Sequence, residues 1–179
     1  MNVVLIGYRG TGKTTVAQLL GLALGWNWID ADVEIEMRAG RSIAAIFAEQ
    51  GEPAFRDLES AVIAELVERE RILIAAGGGV VARPENRQAI RQASHVVWLT
   101  ATVQSLVERI AADATTAARR PSLTSLGAES EIRRLLAERE PWYRECATLT
   151  VDTTDRTPAE IAAEIIDRLS LGTIDGGPQ

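Results

Sequence analysis

The chain has 179 residues, 46% of them hydrophobic, and a net charge of −6 with an isoelectric point near 4.9. That length suits one packed domain. The acidic balance argues against a general nucleic-acid binder, which needs a broad basic face, and no apolar stretch is long enough to span a membrane.

In chain order, strand-like and helix-like segments alternate. Val3-Val4-Leu5-Ile6 is a short apolar run typical of a buried parallel strand, and it ends at Gly7. The spacing of Val16, Leu19, Leu20 and Leu24 predicts a helix that starts near Lys13 and stops at Gly25. Trp28-Ile29 predicts a short strand running into Asp30 and Asp32 in a polar turn. Ser42 is set to cap a short helix over 42–49, and 53–69 predicts a longer one with Phe55, Leu58, Val62, Ile63 and Leu66 on its apolar face. Residues 72–76 form the next buried strand, closed by Gly77-Gly78-Gly79. Helix is expected over 84–92, and strand over 96–99 with His95 at its start in a structural role. A helix begins at Val103. The polar, Ala- and Thr-rich stretch 111–126, which holds Arg119-Arg120-Pro121, reads as a mobile loop. Residues 132–146 read as helix locally disturbed by Pro141. Leu149-Thr150-Val151 is a last strand, and Thr157-Pro158 opens a final helix through Leu169. Residues 170–179 read as a disordered tail.

The alternation implies an α/β fold with a parallel sheet between two layers of helices. Ligands then gather at the carboxyl ends of the strands, where Gly7, Asp30, Asp32 and the glycine triplet fall. Cys146 is the only cysteine, which rules out an intrachain disulfide and fits a reducing compartment; it reads as a small apolar filler. No basic region followed by an apolar core opens the sequence, so a cytoplasmic protein is expected.

Gly7-Tyr8-Arg9-Gly10-Thr11-Gly12-Lys13-Thr14 carries the strongest chemical signal. It fits the P-loop pattern in the right context, after a buried strand and before a helix. Glycines let backbone N–H groups converge on phosphate oxygens, and the helix start adds partial positive charge. Lys13 then reaches the β- and γ-phosphates of ATP, and Thr14 gives an oxygen to Mg²⁺. The cofactor set is ATP and Mg²⁺, held by Gly10, Thr11, Gly12, Lys13, Thr14 and Thr15. Asp30 and Asp32 read equally as a metal and substrate pair or as a solvated turn. Arg56 and Arg139 are suited to a two-point grip on a carboxylate, and the triplet lets a ligand press on bare backbone. Taken singly, each arginine reads as a surface charge.

The ordered combination resembles the shikimate kinase family, with a nucleoside monophosphate kinase-like P-loop fold, over residues 1–169. The resemblance rests on the P-loop, Asp30-x-Asp32, Gly40-Arg41-Ser42-Ile43, Ile46-Phe47, Gly51-Glu52, Phe55-Arg56 with Glu59, Gly77 to Gly79, Arg120-Pro121 and Arg139-x-Pro141-x-Tyr143. It implies a single kinase domain over 1–169 with a lid at about 111–126, and ATP-dependent phosphorylation of the 3-hydroxyl of shikimate, a step toward chorismate and the aromatic amino acids. It implies that Asp30 holds the metal through water. Asp32 binds the shikimate hydroxyls and takes the proton of the attacking one. Arg56 and Arg139 grip the carboxylate, with backbone contacts from Gly78 and Gly79. Arg120 is the lid arginine that reaches the transferring phosphate, a role for which Arg119 competes, and Arg109 and Arg156 flank the adenine. A monomer is expected. Two departures stand out: Ser122-Leu123 follow the lid Arg-Pro where many members have two leucines, and 112–118 is unusually Ala- and Thr-rich. The rival readings are another small-molecule kinase of this fold, such as a gluconate or nucleotide kinase, and a binding protein without catalysis. The carboxylate clamp separates the first, and the retained Lys13, Asp32, Arg56, Arg120 and Arg139 argue against the second.

Overall fold

The computed structural model describes residues 1–112 and 127–172. They form five parallel strands and seven helices: β1 (Val3–Ile6), α1 (Lys13–Leu24), β2 (Asn27–Asp30), α2 (Ala31–Ala39), α3 (Ile43–Leu66), β3 (Ile72–Ala75), α4 (Pro84–Ile90), β4 (His95–Thr100), α5 (Val103–Ala112), α6 (Ala128–Cys146), β5 (Leu149–Asp152) and α7 (Pro158–Arg168). The sheet order is β2-β3-β1-β4-β5. The chain leaves β1 toward one edge, returns beside it as β3, and continues on its other side as β4. That reversal opens a crevice at the carboxyl end of β1.

Side-chain alternation divides the core in two. Val4, Ile6, Ile72, Ile74, Val96 and Trp98 face α2, α3, α4 and α6. Val3, Leu5, Leu73, Ala75, Val97, Leu99 and Val151 face α1 and α7. With both faces covered, β1 and β3 are apolar at every position, as the sequence pattern anticipates. A third, smaller cluster packs Tyr8 of the P-loop on Leu106 of α5 and Ile132 of α6, which fixes the loop against the two helices that flank it.

Several boundaries differ from the sequence reading. The region after Asp30 is α2 and not a turn: Asp30 is its N-cap, with Oδ1 accepting from the N–H groups of Asp32 and Val33. Asp32 therefore lies in the first turn of a helix. The helices expected over 42–49 and 53–69 meet with a break at Gly51, whose φ of 79° and ψ of 172° leave the helical region; a side chain there is strained. Ser42 caps the first half, as expected, through Ala45 N–H. α6 starts at Ala128 and runs through Pro141. Ala111 and Ala112 belong to α5, and the rest of the expected lid, with Arg119 and Arg120, lies outside the described residues. Leu171, expected in the tail, is buried in the core beside α7. His95 opens β4 and Cys146 is buried, both as read from the sequence.

Candidate functional site

The P-loop leaves β1 at Gly7, whose φ of 139° is open to glycine alone. A Cβ there would also lie 2.3 Å from the Leu99 carbonyl oxygen, so β4 presses directly on the turn. The loop then runs into α1, whose first turn carries no acidic side chain to offset its positive end. Lys13 is the only lysine in the sequence. It is buried, with Nζ donating to the carbonyls of Gly7 at 2.9 Å and Tyr8 at 2.8 Å. Thr11 is also buried, its hydroxyl donating to the Tyr8 carbonyl. Thr15 is exposed at the start of α1.

Thr14 and Asp30 meet although they are 16 residues apart. The Thr14 hydroxyl donates to Asp30 Oδ2 at 2.7 Å, while Oδ1 caps α2. The cap fixes the carboxylate rotamer. Asp32 is half-buried one turn further on.

Arg56, the glycine triplet and Arg139 also converge. Arg56 donates to Glu59 Oε2 at 2.7 Å and to Glu52 Oε1 at 2.9 Å. Burial works against its charge, but Glu59 and Glu52 outweigh that and hold the guanidinium above its ordinary pKa. A Cβ on Gly79 would lie 2.7 Å from both terminal nitrogens of Arg56, so the guanidinium lies directly on the bare glycine. From α6, Arg139 donates to the Gly78 carbonyl at 3.0 Å, and the Tyr143 hydroxyl donates to the same oxygen. Arg139 Nε is buried with no hydrogen-bond partner among the described residues. The other side of Gly78 abuts the P-loop: a Cβ there would lie 3.1 Å from the Arg9 amide nitrogen. Two arginines thus sit against a strip of backbone that touches the phosphate cradle.

Burial pushes the Tyr8 phenol up, Glu131 adds to the rise, and Arg9 and Arg139 pull against it. On the opposite flank, Arg109 reaches the Gly10 carbonyl at 3.4 Å and binds Thr153, while Arg156 pairs with Glu164 at 2.6 Å and donates to the Asp152 carbonyl. No group of three or more His, Cys, Asp and Glu residues suited to a metal occurs among the described residues. None of their helices is long and apolar enough to cross a membrane.

A family model described as shikimate kinase matches residues 9–170. The chain belongs to the shikimate kinase family. It is 45% identical to the shikimate kinase of Rhodopirellula baltica over 176 residues, 97% of this chain and 94% of that one. It is 43% identical to that of Pseudomonas putida over 168 residues, 94% and 95% of the two chains. A shikimate kinase from Acinetobacter baumannii, solved in complex with shikimate, superposes with a TM-score of 0.88 at 35% identity, covering 94% of this chain and 92% of its own. This shikimate kinase family member is accordingly a small-molecule kinase with an α/β P-loop fold, and the family takes its phosphoryl group from ATP.

Five residues of the site carry no role assigned from the sequence. Glu52 and Glu59 fix Arg56, and their i, i+4 and i, i+3 spacing around it was a readable signal. Tyr143, four residues after Arg139, shares its helix face and its acceptor. Arg9 touches Gly78 through its backbone, and Thr153 grips Arg109; nothing in the local sequence marks either contact.

Proposed function

We propose that the chain transfers the γ-phosphoryl group of ATP to the 3-hydroxyl of shikimate at the crevice between the P-loop and the Gly77–Gly79 strip. The observation that carries this reading is the convergence of Arg56 and Arg139 on Gly78 and Gly79, with Gly78 against the Arg9 amide. Two guanidinium groups beside bare backbone suit a small planar carboxylate. The P-loop amides of Gly10, Thr11 and Gly12, with Lys13, Thr14 and Thr15, then cradle the nucleotide phosphates.

The Thr14 hydroxyl and the Asp30 carboxylate are hard oxygen donors of the kind Mg²⁺ takes, and their 2.7 Å contact holds them side by side. When bound, the metal supplies charge to the β- and γ-phosphate oxygens. The chain's own residues do the rest. Arg56 and Arg139 anchor the acid end of shikimate. Asp32 accepts the proton of the attacking hydroxyl as its oxygen bonds to the γ-phosphorus. The bond to the bridging oxygen breaks, leaving ADP. Lys13 stays on the phosphates and offsets the charge that spreads over their oxygens. Arg109 and Arg156 flank the base, and Arg120, or Arg119 beside it, approaches the transferring phosphate. The protein works as a cytoplasmic monomer.

The test is ADP release with ATP and Mg²⁺ in the presence of shikimate, of the same ring bearing a hydroxymethyl group in place of the carboxylate, or of a nucleoside monophosphate. Turnover with shikimate alone supports the reading. Equal turnover of the hydroxymethyl compound removes the carboxylate clamp, and preference for the monophosphate removes the acceptor.

A further inference from the structure

Thr153 follows β5 and is fully buried, yet nothing in the phosphoryl-transfer chemistry calls for it. Its N–H donates to the Thr100 carbonyl at 2.8 Å, and its hydroxyl donates to the same oxygen at 2.9 Å. Both bonds tie it to the end of β4. The hydroxyl oxygen also accepts from Arg109 at 3.0 Å, and the Thr153 carbonyl accepts from the other terminal nitrogen of Arg109 at 2.6 Å. One residue therefore receives both prongs of the guanidinium fork, which fixes the plane of the group as well as its place. Both acceptors are neutral. Arg156 nearby pairs with the Glu164 carboxylate, whereas Arg109 pairs with no carboxylate among the described residues. The same nitrogen that meets the hydroxyl comes to 3.4 Å from the Gly10 carbonyl, so this flat cation stands at the edge of the phosphate cradle.

We infer that Thr153 is a positioning residue for nucleotide binding: it locks Arg109 as a rigid, charged platform on which the base stacks. The inference rests on the reading of Arg109 as a nucleotide contact and deepens it. Arginine offers a base both stacking area and cation–π attraction, and a platform fixed in advance spares the ordering cost of binding. Valine at 153 keeps the shape and the backbone carbonyl and removes one prong of the grip. Serine keeps both prongs.

The test is calorimetric titration of ADP and of inorganic tripolyphosphate, which fills the cradle without a base, into wild type, Thr153→Val, Thr153→Ser and Arg109→Ala. Thr153→Val should weaken ADP about 3- to 30-fold and leave tripolyphosphate within about twofold, with Thr153→Ser close to wild type. Equal weakening of both ligands means that Thr153 only supports the P-loop through Gly10, and overturns the proposal. Unchanged ADP affinity in Thr153→Val alongside a loss in Arg109→Ala also overturns it, while leaving Arg109 at the nucleotide. Unchanged ADP affinity in Arg109→Ala removes the underlying reading itself.

Discussion

Replacing Gly79 by alanine tests the acceptor site through a single methyl group. The backbone at Gly79, with φ of −101° and ψ of 0°, accepts alanine without strain. The methyl carbon would lie 2.7 Å from both terminal nitrogens of Arg56 and 3.1 Å from its central carbon. Reaching ordinary contact requires the guanidinium to retreat by about 0.7 Å. It cannot do so freely, because Glu52 and Glu59 hold it at 2.9 and 2.7 Å and its side chain is only 12% exposed. In the proposed clamp, a displaced guanidinium loses its aligned bond to the carboxylate of shikimate. A hydrogen bond to a charged group contributes about 1.5 to 3 kcal/mol, so shikimate should bind about 10- to 150-fold more weakly. ATP should bind much as before, since the P-loop is built from other residues. Calorimetry with each ligand measures both, and an Arg56→Ala background supplies the control. If the methyl acts through Arg56, Gly79→Ala adds nothing once Arg56 is gone. Unchanged shikimate affinity in the single variant, or full additivity in the double variant, refutes the reasoning.

Lys13→Met keeps the bulk of the side chain and removes its charge, and kcat should fall by about 10²- to 10³-fold in the ADP-release assay; near-normal turnover contradicts a phosphate role. Asp30→Asn retains a good helix cap for α2 but loses the charge beside Thr14. Its half-saturating Mg²⁺ concentration should rise, and an unmoved Mg²⁺ titration rejects Asp30 as a metal-site residue. Asp32→Asn should lower kcat by about 10²- to 10⁴-fold with ADP affinity retained; wild-type turnover there means that Asp32 only binds. Burial pushes the Cys146 thiol from 9.0 up to about 11. The native state thus keeps a proton that the unfolded chain gives up, so the associated stability is complete below about pH 9 and is lost as pH rises toward 11. Thermal unfolding across that range should fall more steeply for wild type than for Cys146→Ala, and parallel curves argue against it.

The P-loop and the buried strands were legible because both are local. A phosphate cradle occupies eight consecutive residues, and a strand covered on both faces must be apolar at each position, as β1 and β3 are. Helix α2 was not legible: its core-facing stripe is only Ala31, Ile35 and the partly buried Ala39, while Val33 and Met37 are exposed, so apolar and charged residues alternate along it with the period of a strand. Its start depends on Asp30 serving as cap, and an aspartate before alanine reads equally as a turn. The resemblance to a known family named the clamp's members, but their meeting in space was not readable from the sequence. Arg56 reaches Gly79, and Arg139 reaches Gly78 from 61 residues away, because the sheet order sets β3 beside β1 and lays α3 and α6 over the same face. The grip of Thr153 on Arg109 is likewise set by the pairing of β4 with β5.

Every cationic side chain except Lys13 is an arginine. The one side-chain amine is buried, and its ammonium spends its protons on two loop carbonyls. Reagents that acylate or alkylate amines therefore find no exposed lysine side chain. Any lysine that does react reports one event only, the uncovering of the phosphate loop. A single mass increment on Lys13 then serves as a direct measure of how fully nucleotide protects that loop.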